Sequence, residues 1–203
     1  PGLRNWDVVH PGNPALERGL AAGVTTTLFI PGSGSNMGGF GTLIKTAGDS
    51  VETMSLRIDA TGAVRPGALK IAQAGNPERR DGNIGRGRMG MNWGLRQTLQ
   101  RGKDYADRWA AWEAGETAEK PAVDTNLEYM RGLFAHEYPV AVHSQIFQVV
   151  QMTARMLHDE FGLDVVLDHS TFDGWKNAPV YAERGIPVIH GPRVYDPWAM
   201  RYE

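Results

Sequence analysis

The sequence predicts an α/β fold in which parallel strands alternate with helices, and the last third of the chain shows this most clearly. Three short apolar segments, at residues 139–143, 164–168 and 186–190, have the pattern of buried strands. The segments between them, at 144–161 and 174–184, have the length and spacing of helices. Strands joined through a helix run parallel, because the helix returns the chain to the edge where the first strand began.

The first third of the chain repeats this alternation. A helix is predicted to begin at Asn13-Pro14, since an N-cap residue followed by proline is a common helix start, and to end at Gly23. Residues 24–30 are β-branched and apolar, which indicates a buried strand.

A segment rich in glycine and serine follows at residues 31–41, and we predict a loop there. It lacks the spacing of a phosphate-binding or dinucleotide-binding loop, so we interpret it as a flexible loop of an active site. Further short strands are expected at 42–46 and 68–72.

The middle of the chain is dominated by helix. After a loop at 75–88, apolar residues recur every three or four positions and predict a long helix over 89–114. A polar linker at 115–122 leads to a shorter helix at 125–136. With about six strands in all, the pattern fits either an α/β barrel or an open doubly wound sheet.

Composition excludes several classes of function. The 203 residues include 21 basic and 23 acidic side chains, so the net charge of −2 provides no general attraction to nucleic acid or to an anionic membrane. The absence of cysteine excludes disulfides, thiolate metal ligands and a thiol nucleophile. No apolar run approaches the ~20 residues that span a bilayer. Composition leaves the cellular compartment and the oligomeric state open.

Two histidines are the sharpest chemical signal. His143 and His169 each stand at the carboxyl end of a short apolar strand, about one strand–helix repeat apart. Parallel neighbouring strands would bring both imidazoles to one rim, where they could form half of a zinc site. The alternative is that both rings only bond to loop backbone. His190 ends the next strand and could contact substrate, although a packing role is favoured.

Two lysines lie inside apolar segments. Lys45 and Lys70 both occupy strand-like sequence, where a buried ammonium is costly unless it is paired or chemically changed. Either could be a catalytic amine or carry a carbamate that bridges two metals. The alternative is a lysine that faces solvent from an edge strand or extends its stem to the surface. A basic segment at 79–103 could contact an acidic substrate or RNA, but a solvated face is favoured.

The order of motifs along the chain resembles that of a known family. The segments that carry the resemblance are Ala21-Ala-Gly-Val-Thr-Thr-Thr, Pro31-Gly-Ser, Gly38-Gly-Phe-Gly, Leu69-Lys-Ile-Ala, Gly75-Asn-Pro-Glu-Arg, Arg88-Met-Gly, Val142-His-Ser, Leu167-Asp-His-Ser-Thr, Gly185-Ile-Pro-Val and Gly191-Pro. In this order and spacing they resemble the metal-dependent amidohydrolase superfamily, in the branch similar to imidazolonepropionases. The resemblance extends over nearly the whole chain.

The resemblance implies a (β/α)₈ barrel with a divalent metal, most often zinc, at its C-terminal rim. His143 and His169 match the metal-binding histidines of the fifth and sixth strands. Lys70, with Lys45 as the alternative, matches a fourth-strand position that holds a carboxylated lysine or a glutamate. Related sequences often have an acid where this chain has Gly75.

The chain departs from the family pattern at both ends. It has no His-x-His pair, which the family carries on its first strand, and no recognisable last-strand Asp. The small β-sandwich of the superfamily is also absent from the sequence. We therefore expect residues 1–203 to form the central part of one incomplete barrel, inactive alone. A His-x-His strand is expected upstream and a strand ending in Asp downstream.

The function that the resemblance implies is metal-dependent hydrolysis of an amide-type C–N bond, linear or cyclic, in a small molecule. Neither nucleic acid nor a membrane is expected as a partner. The alternative is a non-catalytic α/β protein that binds a ligand at the same rim without a metal.

Overall fold

One sheet of six strands organises the described part of the chain in this computed structural model, and its strands follow one another in chain order. The structure describes residues 2–73, 75–78, 87–169 and 173–189. His190 lies outside these residues, so its place at the rim stays a prediction.

The sheet has an antiparallel front and a parallel rear. Pairing is antiparallel from β1 to β2 and from β2 to β3, and parallel from β3 through β6. The strands are β1 (Thr26–Phe29), β2 (Met37–Lys45), β3 (Ala68–Ala72), β4 (Val140–Ser144), β5 (Val165–His169) and β6 (Val188–Ile189). The parallel arrangement predicted for the last third is confirmed.

The helices are α1 (Pro14–Ala21), α2 (Val51–Met54), α3 (Arg88–Glu113), α4 (Glu128–Phe134), α5 (Phe147–Thr153) and α6 (Ala178–Arg184). A π-helical stretch, Ala154–Glu160, continues α5, and 3₁₀ turns occupy Asn5–Val8 and Gly174–Asn177. In the part of the chain that the structure describes, no helix has the length and apolar character needed to cross a membrane.

Helix α3 shows how directly periodicity translates into packing. Its residues at the predicted apolar positions are buried, and they include Leu95, Leu99 and Trp109. Gly102 lies on the same face, where an added Cβ would stand 2.8 Å from the Cγ of Met130 on α4. The small residue therefore lets the two helices approach closely.

The loop predicted over 31–41 is wrong in its second half, because β2 begins at Met37. Glycine there serves close packing of a strand. A Cβ at Gly39, where φ is +111°, would lie 2.7 Å from the carbonyl oxygen of Leu3, and one at Gly41 would lie 2.6 Å from Cγ2 of Ile30. The register of β2 against β3 also shifts beside Gly39. Glycine inside a strand commonly marks such a bulge or close approach.

The two faces of the parallel strands differ in character. Leu69, Val142 and Leu167 point to the face that joins the hydrophobic core with the helices. Side chains alternate along a strand, so the intervening residues share the other face. In register, Lys70 lies opposite Ala141, and His143 lies between Ala72 and Asp168. Lys70, His143 and Asp168 thus share the face away from the helices.

Candidate functional site

The imidazoles of His143 and His169 lie against each other at the carboxyl ends of β4 and β5. Their ring centroids are 4.8 Å apart and the ring planes meet at 81°. His143 is almost fully buried, whereas about a third of the His169 side chain is exposed. The two rings therefore share one rim of the sheet, with one side open to solvent.

An unusual backbone conformation at His169 accompanies this arrangement. In a regular strand, His169 would face away from Asp168, the residue that pairs with His143. Instead φ at His169 is +80°, a value rare outside glycine, at the very end of β5. This turn places the ring beside His143. Such strain is common at functional sites.

Lys70 reaches the same cluster from β3. Its side chain is 2% exposed, and its Nζ lies 3.7 Å from Oδ2 of Asp168 on β5. Strand β4 lies between them, and the residue opposite Lys70 is Ala141, whose short side chain leaves room for the lysine to cross. Burial lowers the pKa of Lys70, and the Asp168 carboxylate works in the opposite direction.

Asp168 joins the lysine to the histidines. Besides its contact with Lys70, its Oδ2 lies 3.6 Å from Nε2 of His169. Lys70, Asp168, His169 and His143 consequently form one continuous group, which we call the rim cluster. Sequence analysis missed Asp168. The available signal was its position one residue before His169 on a short apolar strand.

Lys45 lies outside the rim cluster. It is the last residue of β2, exposed, and its Nζ is 3.3 Å from Oγ1 of Thr26, its partner on β1. Of the two lysines that the sequence left as alternatives, the structure brings Lys70 to the histidines.

Three buried polar residues lie at the carboxyl ends of β3 and β4, close to His143 along the chain or through backbone pairing. Gln73, Ser144 and Gln145 follow or end β3 and β4 and are at most 7% exposed. The backbone N–H of Gln73 donates to the carbonyl of His143, at 2.8 Å. Within the described residues, Gln73 Nε2, Ser144 Oγ and Gln145 Nε2 make no hydrogen bond. A buried polar atom without a partner costs about 1–3 kcal/mol, so these atoms are suited to bind water or a ligand. Sequence analysis did not single them out.

The loops after β4 and β5 are tied together at this rim. Oδ1 of Asp173 accepts a hydrogen bond from the backbone N–H of Phe147, at 2.6 Å. Nδ2 of the buried Asn177 donates to the carbonyl of the same Phe147, at 2.9 Å. The start of α5 is therefore fixed from the loop that follows β5.

The rim cluster fits a metal ion in part. Two imidazoles close together are suitable nitrogen donors, but a catalytic zinc ordinarily takes three protein ligands. Across the described ranges, no group of three or more His, Asp or Glu side chains is arranged to hold a metal ion.

Comparison with known proteins identifies the class of fold. A solved structure of an amidohydrolase from Thermotoga maritima MSB8 is similar to this chain, with a TM-score of 0.80 and 29% sequence identity. The match covers 95% of this chain and 48% of that one, so this chain spans about half the length of that amidohydrolase. No protein-family model and no curated protein matches the sequence.

The curved sheet and this match define an incomplete (β/α)₈ barrel of the amidohydrolase kind. This chain is similar to part of an amidohydrolase, and the match confirms the resemblance seen in the motifs.

Proposed function

We propose that this chain supplies part of the active site of a metal-dependent hydrolase that cleaves an amide-type C–N bond, linear or cyclic, in a small molecule. The observation that carries the proposal is the pair His143–His169, whose rings lie 4.8 Å apart at the carboxyl ends of neighbouring strands. Active sites of (β/α)₈ barrels lie at that rim.

In this proposal His143 and His169 hold a divalent metal, with zinc favoured because it accepts imidazole nitrogen in catalytic sites. The bound metal would supply a Lewis acid that acidifies water and polarises the carbonyl of the substrate. Gln73 and Gln145, which directly follow β3 and β4, have buried amide groups that would donate hydrogen bonds to a substrate oxygen. The exposed side of His169 leaves a path for the substrate.

We further propose that residues 1–203 alone are inactive. Two imidazoles leave a divalent ion short of protein ligands, and it should bind weakly. Metal-dependent amide hydrolysis by the purified chain would contradict this proposal.

Zinc binding tests the proposed metal ligands. We expect zinc, measured by titration and by elemental analysis after dialysis, to bind the folded chain weakly, and the variants His143→Ala and His169→Ala to bind at least tenfold more weakly. The matched control is His10→Ala, which removes an exposed imidazole that is far in sequence from His143 and His169. Equal zinc affinity of His143→Ala and the parent chain would refute the assignment.

A non-catalytic binding protein remains the second candidate. The observation that favours it is that the described residues place only two imidazoles at the rim. A folded chain that takes up no zinc but binds a small amide at the rim would support this function over hydrolysis.

A further inference from the structure

Trp175 is a large apolar residue that the described part of the chain leaves 58% exposed. It lies in the 3₁₀ turn Gly174–Asn177, on the loop that follows β5, only a few residues after His169. The loops that follow the strands of a (β/α)₈ barrel build its active site. Trp175 is therefore an exposed indole on the side of the sheet where a substrate would bind.

The backbone on both sides of this indole is fixed by buried residues. Gly174 and Asn177 are both buried, although Trp175 between them is exposed. The carbonyl of Gly174 accepts a hydrogen bond from the hydroxyl of Tyr181, at 3.2 Å, and Asn177 donates to the carbonyl of Phe147. Because the turn is already ordered, little conformational entropy would be lost when a ligand binds against Trp175.

The surroundings of the indole favour a flat apolar ligand group. Nζ of Lys176 lies 5.7 Å from the ring centroid, so a cation contacts the ring, yet more than half of Trp175 stays open. Room therefore remains for one planar ring, and aromatic rings attract each other in stacked or edge-to-face geometry.

A second exposed apolar side chain lies beside the rim cluster. Ile189 of β6 pairs with Asp168 of β5, so the two side chains share one face of the sheet. Ile189 is 57% exposed, and about a third of the His169 side chain is exposed as well. The open side of the rim thus offers apolar surface beside an imidazole, as small-molecule sites commonly do.

We propose that Trp175 determines specificity by stacking on a planar, conjugated ring of the substrate. The substrate class is then an amide attached to, or contained in, an aromatic or heteroaromatic ring. That such a molecule is hydrolysed rests on the proposed function. The preference for a planar ring is a property of binding, and it can be measured without metal or turnover.

Two neutral amides of similar size, benzamide and cyclohexanecarboxamide, separate a planar ring from a puckered one. In an NMR titration we expect benzamide to bind about threefold to tenfold more tightly and to shift the indole N–H signal of Trp175. Trp175→Ala should abolish this preference, and Trp175→Phe, which keeps a planar face, should retain most of it. The matched control Trp93→Ala, which removes an indole 59% exposed on α3, should leave the preference unchanged.

Equal affinity for the two amides, binding of neither, or an equal loss of preference in Trp93→Ala would overturn the proposal. The indole shift is read in the parent chain, so a misfolded Trp175→Ala leaves that measurement intact. The zinc titration separates this proposal from the proposed function. Zinc uptake that depends on His143, without a ring preference, would overturn the role of Trp175 alone. A ring preference without zinc uptake would support Trp175 as a binding residue and overturn the hydrolase assignment.

Discussion

The two lysines show how differently one local pattern behaves at the front and at the rear of the sheet. Lys45 stands in Leu-Ile-Lys-Thr and Lys70 in Leu-Lys-Ile-Ala, so both follow apolar strand residues. Lys45 ends β2 beside β1, an edge strand of the described sheet, and its amine faces solvent. Lys70 lies in the middle of β3, with a neighbouring strand on each side, and its amine is buried.

The difference teaches that the strand's position in the sheet decides the environment of the residue. The ammonium group of a lysine at a strand end beside a sheet edge can stay hydrated. A lysine in a central strand needs an ionic partner to remain charged. Asp168, two strands away, supplies that partner. Substitutions of Asp168 and Lys45 test this difference between the two lysines.

The largest effect is expected from Asp168→Ala. Removing one member of a buried ion pair leaves the other charge uncompensated, and we expect the free energy of unfolding to fall by about 3 kcal/mol. Urea unfolding at neutral pH measures it. The matched control Lys45→Met should change stability by less than about 0.5 kcal/mol, since it removes an exposed side chain. Equal effects of the two substitutions would contradict the distinction drawn between the lysines.

A second expected effect compares two glycines. Gly39→Ala introduces a Cβ against the backbone carbonyl of Leu3 at a positive φ, and should destabilise the chain by about 2 kcal/mol. Gly94→Ala lies inside α3 with nothing within 4 Å of the new Cβ, and should stabilise it by about 0.5–1 kcal/mol. Thermal and urea unfolding of both variants check the signs. A stabilising Gly39→Ala would disprove the close approach of β2 to the N-terminal segment.

Sequence analysis succeeded where a feature is local and periodic. The buried face of α3, the strands that carry His143 and His169, and the helix start at Asn13, whose side chain accepts from the N–H of Ala15, all follow from short-range patterns. When such a helix or strand packs against a neighbour, the spacing of its apolar residues does not change. The parallel order of the last strands followed from the helices between them.

Features that depend on distant pairing could not be predicted. The contact of Lys70 with Asp168 crosses β4 and depends on the register of three strands. The glycines of β2 resemble loop residues in sequence because their role, close approach to Leu3 and Ile30, is visible only in three dimensions. The positive φ of His169 likewise leaves no trace in the sequence.

The smallest expected effect concerns an exposed ion pair, which sharpens the contrast with the buried one. Asp159 binds Arg184 through both carboxylate oxygens, at 2.9 and 2.8 Å, on the outer helices. Arg184 and His158 lower the pKa of Asp159 to about 2 from its ordinary 3.8. A lowered folded-state pKa stabilises the fold above pH 3.8, and this stabilisation is lost as the pH falls toward 2.

Since solvent screens the pair, Asp159→Asn should cost less than about 1 kcal/mol at pH 7. Urea unfolding of the parent chain and the variant from pH 7 to pH 2 should show their difference shrinking on acidification. A difference that stays constant over this range would assign the effect of Asp159→Asn to packing instead of charge.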